Sequence, residues 1–110
     1  MRSHVVIILV IMGILLSFPQ WSGAQWVQTG GPEGGIIHAL AVSGTNLFAG
    51  TWNGVFLSRD NGKSWTAINS GWPAETQVTC LGVSGAYLFA GTYGGGVWRL
   101  SLSDLPIGKR

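Results

Sequence analysis

The stretch LFAGTWNGVFLSRDNGKSW, residues 47–65, decides the architecture: it holds two strand-like runs, a glycine-bearing turn and a polar octet, and its first half returns downstream. Residues 88–99 read LFAGTYGGGVWR, so that Leu47-Phe48-Ala49-Gly50-Thr51 recurs as Leu88-Phe89-Ala90-Gly91-Thr92 at an offset of 41 residues. Upstream the match continues, with Leu40-Ala41-Val42-Ser43-Gly44 answered by Leu81-Gly82-Val83-Ser84-Gly85. One additional glycine after Thr92 lengthens the offset by one.

Between residues 25 and 110 no helical periodicity of useful length occurs. Short apolar or alternating runs are separated every few residues by Gly, Asn, Ser or Pro, which reads as all-β. The expected strands are 26–29, 36–43, 47–51, 55–58, 65–68, 77–84, 88–92 and 97–101. A period near 40 carrying about four short strands is the pattern of a β-propeller blade, a small antiparallel sheet whose faces need neighbours. Lettered a to d, the first repeat is complete over 36–68, whereas the second supplies a, b and c over 77–101 and leaves a tail, 102–110. Residues 26–29 lead with Trp26 and exit on Gly30-Gly31, much as Trp65 leads toward Gly71, and read as the displaced fourth strand. The expectation is two four-stranded antiparallel blades. Since propellers have typically four to eight, self-association into a closed ring follows; the alternative is a structural or truncated piece of a longer propeller.

The octet Ser58-x-Asp60-x-Gly62-x-Ser64-Trp65 suits a tight hairpin. Asp60 can accept hydrogen bonds from amides of its own turn, Asn61-Gly62 tolerates positive φ, and Trp65 opens the next strand with a ring to bury. These positions match the Asp-box, or bacterial neuraminidase (BNR) repeat, and the chain resembles the Asp-box β-propellers, which include sialidases, sortilin-like receptor domains and many exported bacterial proteins. The resemblance implies that Ser58, Asp60, Gly62 and Trp65 are structural and lie away from the ligand face. The second repeat departs from the pattern, with Leu100 where the box has Ser58. Its ending resembles the last repeat of secreted bacterial propellers that continue into a sorting tail.

Residues 5–16 form an unbroken apolar run after Met1-Arg2-Ser3-His4, and Ser22-Gly23-Ala24 offers the small residues a signal peptidase reads. Residues 1–24 are therefore expected to be a cleaved signal peptide, the run being shorter than the roughly 20 residues a spanning helix needs. Localisation is expected to be secreted, periplasmic or at the cell surface, with no stable membrane span after cleavage. The remaining charges, Arg59, Lys63, Arg99, Lys109 and Arg110 against Glu33, Asp60, Glu75 and Asp104, nearly balance. Without a basic stripe, nucleic acid is not an expected partner. The single cysteine, Cys80, allows no intramolecular disulfide and reads as a small buried hydrophobe in its apolar run. His38 stands alone in a strand and reads as a packed or rim imidazole, so no metal set is expected. Gly94-Gly95-Gly96 lies between strands, not between strand and helix, and is no nucleotide loop; no cofactor is expected.

The sialidase resemblance implies three arginines clamping a carboxylate, a Tyr-Glu nucleophile pair and an Asp acid, and this chain lacks that set. Hydrolysis of a glycosidic bond wants two carboxyls at controlled separation. Glu33 and Glu75 occupy corresponding connections, but read as solvated loop carboxylates. A non-catalytic module is the expectation, with a sialidase-like glycoside hydrolase the weaker reading. In an up-and-down meander the b-to-c and d-to-a connections share one end, opposite the octet. That end collects Trp52, Asn53, Trp72, Tyr93, Glu33 and Glu75, a candidate face for glycan or protein ligands. Aromatic rings beside a few hydrogen-bonding groups suit the apolar faces and polar rims of sugars; the competing role for the same rings is packing between blades.

Overall fold

The computed structural model describes residues 23–32 and 35–106. Nearly all of the expected signal peptide, 1–24, lies outside the described residues, as do Glu33 and residues 107–110. Among the described residues no helix is long and apolar enough to cross a membrane.

Among the described residues seven strands form two antiparallel sheets. The first contains β1 (Ile37–Ser43), β2 (Asn46–Thr51), β3 (Gly54–Ser58) and the short β4 (Thr66–Ala67) in that order. The second contains β5 (Val78–Ser84), β6 (Tyr87–Thr92) and β7 (Gly96–Ser101). Gly44 and Gly85, with φ of 61° and 58°, supply the left-handed conformation that two-residue hairpin loops require. The all-β expectation and both repeat units are therefore met as sheets. Even their irregularity recurs, because the register slips between Ile37 and Ala39 in β1 and between Val78 and Cys80 in β5. The sheets stack and form no closed ring.

Directly paired residues share a sheet face, so the registers assign the faces. Ala41, Phe48 and Leu57 are successive partners across the first sheet, as are Ala39, Gly50 and Val55. This face receives the second sheet, whose partners Val83, Leu88 and Leu100, and Leu81, Ala90 and Trp98, look toward it. The core consists of Phe48, Val55, Leu57, Val78, Leu88, Ala90 and Leu105, all buried. Full burial of a side chain such as Phe48 contributes about 1.5–3 kcal/mol. Gly50 sets the approach: a Cβ built there would lie 2.7 Å from Val78 Cγ1 and 3.4 Å from Leu81. The absence of a side chain at Gly50 is what lets β5 settle onto β2.

The octet closes the β3–β4 hairpin. Ser58 Oγ donates to Asp60 Oδ1 (2.9 Å) and accepts from the Gly62 amide (2.8 Å). Asp60 accepts from the Ser64 amide at 2.9 Å and its hydroxyl at 2.7 Å. Asn61 and Gly62 have φ of 61° and 89°, and the half-buried Trp65 donates from Nε1 to the Gly62 carbonyl at 3.1 Å. At the matching point of the second repeat, Leu100 packs against the core and cannot hold such a turn. The chain instead enters a 3₁₀ turn, Leu102–Asp104, buries Leu105, and presents the Pro106 carbonyl to the Arg59 guanidinium.

Two expectations are corrected. Residues 26–29 form no strand; Trp26 is fully exposed, and the nearby Gly30 amide bonds instead to the Gly62 carbonyl at 3.2 Å. The segment is tied to the octet turn of the first sheet, and the second sheet keeps three strands. Cys80 is exposed, because it belongs to the face of the second sheet that nothing among the described residues covers.

Gly50→Val should destabilise the chain by about 1–3 kcal/mol through overpacking against Val78, read by denaturant unfolding. A pH series should show a second effect. The hydroxyl and then the amide of Ser64 hold the Asp60 carboxyl below its ordinary 3.8, at about 2. A carboxyl lowered on folding contributes stability that is complete above the unfolded value and disappears as pH falls through the folded one. Stability should therefore decline as pH drops from about 4 toward about 2, with a shallower decline in Asp60→Asn.

Candidate functional site

The β2–β3 turn, the β6–β7 turn and the long β4–β5 connection are hydrogen-bonded together at the end opposite the octet. Asn69, just beyond β4, is the tie on the first sheet. Its Oδ1 accepts from the Val55 amide at 2.8 Å and its Nδ2 donates to the Asn53 carbonyl at 3.2 Å. Inside that turn Thr51 Oγ1 donates to the Gly54 carbonyl (3.0 Å) and accepts from the Asn53 amide (2.9 Å). Gly54 has φ of +99°, and any Cβ there would strike the Asn69 amide. On the second sheet the Tyr93 amide donates to the Gln77 carbonyl at 2.9 Å.

The aromatic residues expected here divide by environment. Trp52 is 46% exposed and stacks on His38, with ring centroids 5.6 Å apart and an interplanar angle of 24°. His38 is thus a rim residue, and together with Trp52 it makes a flat platform. Tyr93 is 79% exposed and borders a groove of about 300 Å³, walled by Pro73, Glu75, Gln77, Gly95 and Trp98. Glu75 holds a left-handed φ of 60°, so its carboxylate is presented from a tight bend.

Trp72 has a different place. It is half-buried against the core, meets Trp98 edge to face at 5.9 Å, and walls a cavity of about 140 Å³ between the sheets. Its ring lines the space between the sheets and offers no free face comparable to Tyr93. Asn53 contributes through its backbone, since the contacts that hold the turn use its amide and carbonyl. Glu33 lies outside the described residues. Of two further contributors, one reads from sequence as a packed or rim residue and the other is not singled out there. His38 was visible only as a lone imidazole, and Asn69 only as part of a glycine-rich exit with no counterpart in the second repeat. The remaining cation in a strand, Arg99, lies 4.3 Å from the centre of the Tyr87 ring on the outer face of the second sheet, away from this end.

Truncating Asn69 to Ala should remove both ties at once and leave the Val55 amide without its acceptor. A cost of about 1–3 kcal/mol is expected, with hydrogen exchange accelerated at Asn53 and Val55 before other strand amides.

No protein-family profile and no curated protein matches the chain. A solved structure, the crystal structure of the computationally designed Ika4 protein, superposes with a TM-score of 0.56 at 22% identity, covering 74% of this chain and 50% of that one. The chain thus spans half the length of that protein, and at this identity the likeness concerns the fold alone.

Proposed function

We infer that the chain is an exported, non-catalytic binding module, that its two sheets are blades of an Asp-box-type β-propeller, and that the rim carrying Trp52 and Tyr93 takes glycan ligands. The blade reading draws support from the repeat: two units of matching register and matching bulge stack in the same chain. The octet's hydrogen bonds are those expected of an Asp-box. Export rests on the sequence of residues 1–24.

The observation that carries the binding reading is the exposure of two aromatic rings on equivalent turns at one end of the fold. A sugar ring offers an apolar C–H face to an indole or phenol and a polar rim to nearby acceptors. Trp52 with His38 provides one stacking surface; Tyr93 beside the Glu75 carboxylate provides another. Trp72 is withdrawn from the ligand set and assigned to packing. Catalysis is not part of this reading, since the sequence lacks the set of three arginines, a Tyr-Glu pair and an Asp acid that the sialidase resemblance implies.

A second reading, a structural segment without its own ligand, is favoured by the Trp52–His38 stack, which already occupies one face of the indole. Glycan-array binding separates the two. Trp52→Ala and Tyr93→Ala should each weaken binding roughly tenfold, equivalent to about 1.4 kcal/mol, with the unfolding midpoint unchanged. A fall in stability with no glycan bound by the parent chain would assign both rings to structure.

A further inference from the structure

The two sheets carry the same pair of faces, and among the described residues each face type is used only once. The inner face of the first sheet is a trough of small residues, Ala39, Ala41 and Gly50, flanked by Phe48 and Val55. Into it the second sheet inserts a ridge, with Val78 and Leu81 seated on Gly50. By the repeat offset, the outer face of the first sheet bears the same ridge: Ile37 stands where Val78 does, and Leu40 where Leu81 does. The second sheet's outer face bears the same trough, with Cys80, Gly82 and Gly91 in place of Ala39, Ala41 and Gly50, and Phe89 and Val97 in place of Phe48 and Val55.

Exposure shows what each unused face lacks. Val78 is fully buried, whereas its counterpart Ile37 is 42% exposed and Leu40 is 62% exposed. Val42 on the ridge and Val97 on the trough are likewise exposed, as is Cys80. Isolated exposed apolar residues are ordinary, but a contiguous stripe on a flat sheet marks an interface.

We propose that a second copy of this chain continues the interface already formed between the two sheets, inserting its Ile37–Leu40 ridge over Gly91 and Cys80 of the first copy. Ridge and trough lie on opposite sides of the stack, so the contact is heterologous. Repetition therefore builds a head-to-tail series, which closes into a ring where the rotation per step permits. Each junction buries Ile37, Leu40 and Val42 of one copy and shields the Cys80 thiol of the next. The trough differs from its internal counterpart at three positions: Cys80 stands for Ala39, with its Sγ beside Gly91, Gly82 stands for Ala41, and Arg99 replaces the buried Leu57 and rests over Tyr87, forming a polar rim to the contact.

The test uses protein expressed from the full sequence and purified as the host processes it. Light-scattering mass should be an integer multiple, above one, of the chain mass, and maleimide should label Cys80 slowly. Leu40→Glu and, independently, Val42→Lys alter only exposed ridge positions and should give folded monomers, by circular dichroism, whose Cys80 labels at least an order of magnitude faster. Val97→Asp should do the same from the trough side. Mixing Leu40→Glu with Val97→Asp should restore a dimer, since one retains an intact trough and the other an intact ridge. A monomeric parent chain, oligomers indifferent to both ridge variants, or a mixture that stays monomeric would overturn the proposal.

Discussion

The contact on which the rest of the structure depends is the seating of Val78 and Leu81 on Gly50. A small antiparallel sheet with two apolar faces cannot bury both by itself, and the close approach permitted by a glycine lets one sheet become the other's cover. Phe48, Val55 and Leu57 on one side, and Leu88 and Ala90 on the other, are buried as a consequence of that seating. It also brings the β4–β5 connection alongside both outer turns, where Asn69 and the Tyr93–Gln77 backbone bond fasten them. The candidate ligand end is therefore a product of how the sheets stack.

The two repeats diverge where one residue changes character. Ser58 is small and polar, so its hydroxyl can organise Asp60 and Gly62 into a hairpin that launches β4. Leu100 is apolar and turns to the core, and the chain that follows becomes a 3₁₀ turn anchored by Leu105. The octet hairpin that leads into β4 rests on Ser58, Asp60, Gly62, Ser64 and Trp65 together, and the residues after Leu100 lack that arrangement.

Within the candidate site, legibility tracked locality. Trp52 and Tyr93 could be placed on a shared end because meander connectivity dictates which turns lie together, and their exposure agrees with that placement. Trp72 lies at the same end yet is half-buried, because it packs edge to face on Trp98 at the cavity between the sheets. Periodicity cannot distinguish those outcomes, as both put an aromatic in a polar, glycine-rich loop. Asn69 was silent for the opposite reason: its role is to satisfy amide and carbonyl groups fourteen and sixteen residues away, and one polar side chain carries no mark of so distant a partner.

The amino-acid sequence by itself determined the all-β class, the two repeat units and the octet hairpin, because these depend on alternation, glycine placement and side-chain bonds within a few residues. Tertiary structure alone decided which faces are covered. Cys80 lies in a run as apolar as that of any core strand, yet it is exposed, since a strand's hydrophobicity states that a face wants a neighbour without supplying one. Residues 26–29 carry the alternation of a strand and form none, the neighbouring Gly30 amide bonding instead to the octet turn of the first sheet. Among the described residues, one sheet face on each side is left without a neighbour.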